Sequence, residues 1–412
     1  MIQTDACIVG AGPAGVATAL RLSYLGIPCV LADRAAFPRD KVCGDAISSK
    51  VTTLLNRLDP AILQRFNATP IQSDVWGIKF VAPNQKELSI PFSPNYIRDA
   101  KAAPGYVSRR VDFDHFLINE ARRRDNIQLL LETDIQHYER RTRGWLTESR
   151  DGRVQADARM LIVADGAHSS FSRKVAGLEK DPRHHAAAVR AYFSNVGQIG
   201  QGSFIELHFI RRATPGYFWI FPLPNGMANV GLGMRSDILS RKKFNLREQL
   251  FEIIEQEPGL KERFRHANLV SEVKGYGLPL GSKARPVSGA HYMLAGDAAH
   301  LVDPLTGEGI GNAFYSGFIA AEQLQQCLVS NDFSASFMKA YDQRISRVLG
   351  SEMRLSYSLQ KMLMYPVLVN ALAHLISSNR KVLEVLSGMY TDFSLREQLA
   401  RPFFWFKMLF KR

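Results

Sequence analysis

Three glycine-bearing stretches carry the residue types that could hold a dinucleotide. Gly10-Ala11-Gly12-Pro13-Ala14-Gly15 has the spacing of a tight turn, a close backbone approach and a helix N-terminus facing a pyrophosphate. Asp33, with Arg34 beside it, lies 18 residues beyond Gly15, where a carboxylate bonds a ribose hydroxyl. In mid-chain, Asp165-Gly166 ends an apolar run. Late in the chain, Gly296-Asp297 ends another, and a carboxylate there could bond the ribityl hydroxyls of a flavin. Pro304 and Gly307-Glu308-Gly309-Ile310-Gly311 follow and open a helix. Its amides and positive end suit the negative charge of a reduced flavin's pyrimidine edge. In this order and at these spacings the stretches describe one chain wrapping FAD three times, hence a redox enzyme.

Each stretch needs regular elements to aim it. Residues 5–9 read as an apolar strand, 14–25 as a helix stopped by Gly26, and 28–32 as a second strand, a βαβ opening. Residues 127–131, 144–149 and 160–164 read as strands and 113–124 as an amphipathic helix. Residues 186–233 are rich in aromatic and β-branched side chains, with turns at Asn195-Val196-Gly197 and Asn225-Gly226, which predicts antiparallel sheet. A helix is predicted over 244–257, ended by Pro258-Gly259, and another over 309–328; residues 334–412 read as helical throughout. The fold class is therefore α/β, a two-domain flavoprotein architecture. A Rossmann-like FAD-binding domain takes residues 1–72, 104–185 and 284–336, an antiparallel-sheet substrate domain takes 73–103 and 186–283, and 337–412 form a C-terminal helical region.

The 412 residues suit two or three domains, and 46% hydrophobic with 22% charged residues is an ordinary globular balance. Cys7, Cys29, Cys43 and Cys327 show no metal-ligand spacing, so no metal is expected, and so few thiols point to a reducing, intracellular setting. The N-terminus has no basic n-region, and no signal peptide is expected. No run reaches the roughly 18–20 apolar residues of a membrane span. The net charge is +13, and residues 337–412 hold 12 Lys and Arg against 5 Asp and Glu, more than half of the excess. That asymmetry suits an anionic partner, lipid headgroups or a phosphorylated substrate. No basic stripe interleaved with stacking aromatics argues for nucleic acid.

The three stretches resemble the FAD-binding motifs of the para-hydroxybenzoate-hydroxylase-type flavoprotein superfamily. Arg110-Val111-Asp112-Phe113-Asp114 is similar to that superfamily's arginine before a Phe-Asp pair, which implies that Arg110 contacts the cofactor. Lys41-Val42-Cys43-Gly44-Asp45-Ala46-Ile47 resembles a signature of the geranylgeranyl reductases. Tyr217-Phe218-Trp219-Ile220-Phe221-Pro222, followed by Gly231-Leu232-Gly233, is similar to their Tyr-x-Trp-x-Phe-Pro…Gly-x-Gly motif. The resemblance covers residues 1 to about 330. It implies a lipid pocket beside the flavin, lined by Tyr217, Trp219, Phe221 and Pro222, with Gly231 and Gly233 leaving room for cofactor or substrate. Residue types alone favour an ordinary sheet core, because alternate aromatics on a strand usually pack inside. The resemblance also places Cys43, with Gly44, on the substrate side of the flavin and implicates Cys43 in turnover. His300 reads as structural.

The expected reaction is reduction of isolated C=C bonds in a polyprenyl lipid by hydride transfer from reduced FAD, the external donor being NAD(P)H or ferredoxin. A flavin monooxygenase or halogenase acting on an aromatic substrate is the alternative, although Tyr217 and Phe221 depart from the halogenase Trp-x-Trp-x-Ile-Pro segment. A flavin-retaining lipid-binding protein is a third reading. Residues 403–412, dense in aromatics and ending basic, suggest peripheral contact with the inner face of the membrane from the cytoplasm.

Overall fold

The computed structural model describes residues 1–92, 103–365, 367–370 and 374. Its first strand, Ile2–Val9, is buried from Ala6 onward, so its apolar run Ala-Cys-Ile-Val meets protein on both faces. Burial of both faces is the habit of parallel strands covered by helices. Ile2–Val9 pairs in parallel with Cys29–Ala32 on one side and Gln155–Val163 on the other. The sheet continues to Ile127–Leu130 at one edge and through Tyr292–Leu294 to Ser288–Gly289 at the other. A hairpin of Ile135–Arg141 and Gly144–Ser149 pairs with the leading half of Gln155–Val163.

Two helices pack tightly above this sheet. Pro13–Tyr24 follows the glycine turn, and Gly26 takes the left-handed conformation (φ +74) that ends it. Ile310–Ser330 crosses it at Gly317, where a Cβ would lie 2.5 Å from the Ala14 carbonyl oxygen. The C-terminal helix Ala335–Met362 lies outside, and its buried Tyr341 hydroxyl donates to the Leu294 carbonyl at 2.7 Å.

The second sheet runs Asn268–Leu269, His185–Ser194, Met227–Arg235, Tyr217–Pro222, Phe204–His208, Gly77–Val81, Glu87–Pro91, with Lys274–Pro279 also paired to His185–Ser194. It is antiparallel except between Phe204–His208 and Gly77–Val81. Asn225 and Gly226 both have positive φ (60° and 68°), the primed geometry that matches strand twist, at the tip between Tyr217–Pro222 and Met227–Arg235. Side chains alternate across this sheet. Phe218 and Ile220 are fully buried against Leu250, Ile253 and Phe264 of the covering helices, whereas Trp219 and Phe221 pack with Val75, Ile205 and Leu207 on the opposite face. A small third sheet, Ala46–Ile47, Gly105–Ser108 and Gln72–Val75, joins the two larger ones.

Two element predictions need correction. The helix expected over 244–257 spans Leu246–Gln256, and Pro258-Gly259 begins a second helix, Pro258–Phe264, rather than a loop. Proline is at home in the first helical turn, where its missing N–H bonds nothing. The helix expected to start at 113 begins at Arg110, so the arginine of the Arg-x-x-Phe-Asp segment sits in its first turn. Of the predicted C-terminal helical region, Ala335–Met362 is helix, while residues 403–412 lie outside the described residues.

Candidate functional site

The three glycine-bearing stretches meet in space. Ala14, Ala164, Ala295 and Ala313, one or two from each, form a small core of methyl groups. Around it the backbones are in contact. A Cβ on Gly10 (φ +101) would lie 2.4 Å from the Ala164 carbonyl oxygen, and one on Gly15 would lie 1.8 Å from that of Gly10. Gly10 and Gly15 thus serve chain packing, and Gly12 caps the helix Pro13–Tyr24; Gly10 and Gly12, but not Gly15, also face a cavity. Asp33 holds the turn from the next strand. Its Oδ2 accepts the Ala11 N–H at 2.7 Å and its Oδ1 that of Ala35 at 2.9 Å.

The cavity has a volume of about 840 Å³ and is lined by all three stretches. Gly10, Gly12, Pro13, Ala14, Asp33 and Arg34 wall one end, and Asp165, Gly166, Asp297, Pro304, Gly307, Gly309 and Ile310 wall the middle. The N-termini of Pro13–Tyr24 and Ile310–Ser330 both open into it. Bare backbone at Gly12 and Gly309, helix ends for phosphate or a reduced ring, and the cations Arg34 and Arg39 are what FAD requires, and the residues present fit it.

Burial tunes the charged groups here. Asp165 is pushed up to about 6, chiefly by burial, with Ser169 working against the shift. Asp297 accepts a 3.0 Å hydrogen bond from Lys41 Nζ, which also lies 5.0 Å over the Tyr276 ring. Burial opposes the Lys41 charge most strongly, but Asp297, joined by Tyr276 and Cys43, outweighs it and the pKa is raised. Arg110 is fully enclosed. Its Nε and Nη2 both reach Asp114 at 2.7 Å, and Arg39 reaches the same carboxylate at 2.7 Å. Burial works against this guanidinium as well, yet Asp114, aided by the Cys43 thiol, holds it charged. Arg110 lines the cavity, whereas Arg109 points to solvent and pairs with Asp112. His300 is pushed down to about 4, mainly by burial, so it is neutral at pH 7.

The far end of the cavity is apolar. Trp219 and Phe221 face it from the second sheet with Ile205, Leu207, Val75 and Phe92. Tyr217 lines it nearer the middle and donates its hydroxyl to the Thr306 carbonyl, and burial raises its pKa. Gly231 does not reach the cavity; a Cβ there would lie 2.1 Å from Trp219 Cζ2, so this glycine makes a bed for the indole. Gly233 does line the cavity, and Pro222 ends its strand outside it. Cys43 and Gly44 lie on the lining between the Arg110 side and this aromatic wall, with Gly44 against Phe221. Cys43 is half-buried, and the other three cysteines are buried.

Comparison with known proteins gives the chemistry a family. Residues 3–350 match the FAD binding domain family. A menaquinone reductase of Mycobacterium tuberculosis is 31% identical over 332 residues, covering 78% of this chain and 76% of the relative. A digeranylgeranylglycerophospholipid reductase of Methanosphaera stadtmanae is 30% identical over 346 residues, covering 83% of this chain and 82% of the relative. The chain belongs to the geranylgeranyl reductase family of FAD-binding flavoproteins. A crystal structure of a geranylgeranyl bacteriochlorophyll reductase-like protein from Thermoplasma acidophilum shares the fold, with a TM-score of 0.81, 24% identity and coverage of 97% and 99% of the two chains.

As a member of this family the protein is a flavin-dependent oxidoreductase, and its site holds residues to which motif reading assigned no role. Lys41 is one. Asp45, Asn229 and Tyr192 are others: Asp45 is fully buried at φ +68 and accepts hydrogen bonds from Asn229 and Tyr192, each at 2.8 Å. Burial drives Asp45 up to about 6, the two bonds restraining the shift. Lys50, on the helix Ser49–Leu58, lines the cavity, donates to Asn312 at 2.8 Å, and pairs with Glu352 of the C-terminal helix at 2.9 Å. The one visible signal for Asn229 is an amide in a strand, Met227–Arg235, that is otherwise apolar up to its last residue.

Proposed function

We propose that this protein reduces isolated carbon–carbon double bonds in a polyprenyl lipid. The observation that supports this is the continuity of one cavity. Its polar part has the features of an FAD cradle, and it runs without a barrier into a lobe of Trp219, Phe221, Ile205, Leu207, Val75 and Phe92, with Cys43 at the junction. A prenyl chain offers no hydrogen-bonding groups along its length, so its pocket must be apolar and aromatic. The names of the menaquinone and digeranylgeranylglycerophospholipid reductases agree with a prenyl-bearing lipid as substrate class.

Bound and reduced, FAD supplies a hydride. The chain's own residues must do the rest. An isolated alkene cannot hold negative charge, so a proton has to arrive with or before the hydride. Cys43 stands where such a proton would be delivered, between Arg110 and the Trp219 wall. The faces of Tyr217 and Trp219 would temper positive charge developing on the alkene. The Lys41–Asp297 pair keeps a fixed cation beside the cofactor segment. The division into cofactor residues 1–72, 104–185 and 284–336 and substrate residues 73–103 and 186–283 accompanies this reading. Electrons come from NAD(P)H or ferredoxin. Among the described residues no helix is long and apolar enough to cross a membrane, and contact with lipid falls to the basic aromatic residues 403–412.

Anaerobic photoreduction of the holoprotein followed by addition of a prenyl lipid tests the proposal. Lipid-driven reoxidation of the flavin, with one pair of hydrogens gained per bond, is expected. A flavin that only O₂ reoxidises, with an aromatic compound hydroxylated or halogenated, would overturn it.

A further inference from the structure

Asn229 lies mid-strand between Ala228 and Val230, and none of the three has any exposed surface. A primary amide in such a place is destabilising unless each of its groups is bonded. Here each is. Its Oδ1 accepts the Trp219 indole N–H at 2.9 Å. Its Nδ2 donates to the Cys43 carbonyl and to Asp45 Oδ2, both at 2.8 Å. One side chain thereby joins the aromatic wall to the segment carrying Cys43.

The two ends of this tie are held from behind. The indole rests on Gly231, where no side chain fits beneath it. On the other side, the Asp45 carbonyl accepts the Ser108 N–H at 3.0 Å, and Asp45 Oδ1 takes the Arg110 N–H at 3.3 Å. The left-handed backbone at Asp45 turns the chain sharply there, a conformation that aspartate tolerates better than most residues. Gly44 packs at 3.1 Å, measured from an added Cβ, against Phe221, so an apolar contact backs the polar one.

We propose that Asn229 is a positioning residue that sets the gap between Cys43 and Trp219 in which the reacting part of the substrate lies. What fills that gap rests on the lipid reading; the tie does not. Of side chains this size, only asparagine accepts once from the indole and donates twice to the loop. Aspartate has no donor, and leucine has neither function.

The test is Asn229→Asp, which keeps size and shape, removes both donors and sets a second carboxylate beside Asp45. Iodoacetamide labelling of the FAD-loaded protein is followed peptide by peptide. Cys43 should label about fivefold faster, the factor one lost buried hydrogen bond commonly carries. Cys7, Cys29 and Cys327 should stay protected. The double variant N229D/D45N, which restores the contact between positions 229 and 45 with its polarity exchanged but leaves the Cys43 carbonyl without its donor, should return the Cys43 rate only part of the way to that of the parent. An unchanged Cys43 rate in folded protein, or acceleration of all four cysteines together, overturns the proposal. Should Asn229→Asp not fold, Asn229→Ser is read by the same criteria. Labelling requires no lipid, so failure of the tie and failure of the lipid reading are seen separately.

Discussion

Replacing Gly231 with alanine tests whether the aromatic wall is set by this glycine. The added Cβ would meet Trp219 Cζ2 at 2.1 Å and the Val189 carbonyl oxygen at 2.4 Å. Ordinary carbon contacts lie at about 3.5–4.0 Å, so each overlap exceeds an ångström and is not absorbed by small adjustments. The indole cannot simply rotate aside, because its N–H is fixed on Asn229. The carbonyl belongs to the neighbouring strand, in register where Gly231 faces Arg190. Overpacking of this kind costs about 1–3 kcal/mol. Urea unfolding of the FAD-loaded protein measures it, with Gly259→Ala as the control. Gly259 is helical with no described atom within 4 Å of an added Cβ, and alanine there should be neutral or stabilising by about 0.5–1 kcal/mol. Adding Trp219→Phe to Gly231→Ala removes the indole atoms in collision but leaves the carbonyl, so only part of the loss should return. Gly231→Ala within about 0.5 kcal/mol of the parent would refute the reasoning, being the range of an ordinary surface substitution.

Three further outcomes follow from the same geometry. Arg110→Ala should cost about 3–5 kcal/mol in urea unfolding and weaken FAD retention, because it strips one of two guanidinium partners from the buried Asp114; unchanged stability would contradict the pairing. Asp45 has its folded pKa raised from 3.8 to about 6, so it binds a proton more tightly when folded. Its contribution to stability is therefore fully present below about pH 4 and is lost as pH rises through 6, about 3 kcal/mol in all, and Asp45→Asn should flatten that part of the stability–pH curve. Deleting residues 403–412, which carry three Lys and Arg, should weaken sedimentation with anionic vesicles at low salt by about 1 kcal/mol per cation, and equal binding would remove that segment as the lipid contact.

What could be read from sequence was local. The glycine spacing with Asp33, the stop at Gly26, the turn at Asn225-Gly226 and the alternation of residues 217–221 each lie within one element and its neighbours, and each is where it was expected. What could not be read depends on partners far apart. Lys41 and Asp297 are 256 residues apart, and Asn229 and Asp45 are 184 apart, so no window of sequence contains either pair. Gly231 shows a different gap. A missing side chain says that something comes close, but only the fold says that it is Trp219 and not a ligand. The stop at Pro258 holds, since the helix before it ends at Gln256, but that the same proline also opens a new helix depends on what packs behind it, here buried Leu260 and Phe264.

The methyl cluster of Ala14, Ala164, Ala295 and Ala313 has a consequence for how the holoprotein comes into being. Its members are drawn from both ends of the first 330 residues, and the nucleotide cradle exists only once they touch. During synthesis, the βαβ start can fold early, but the helix from Ile310 must leave the ribosome before that cradle closes. FAD capture is thus a late event in the folding of the chain. Until then the nascent chain gains nothing from the ligand, and afterwards cofactor binding fastens the two ends of the domain together.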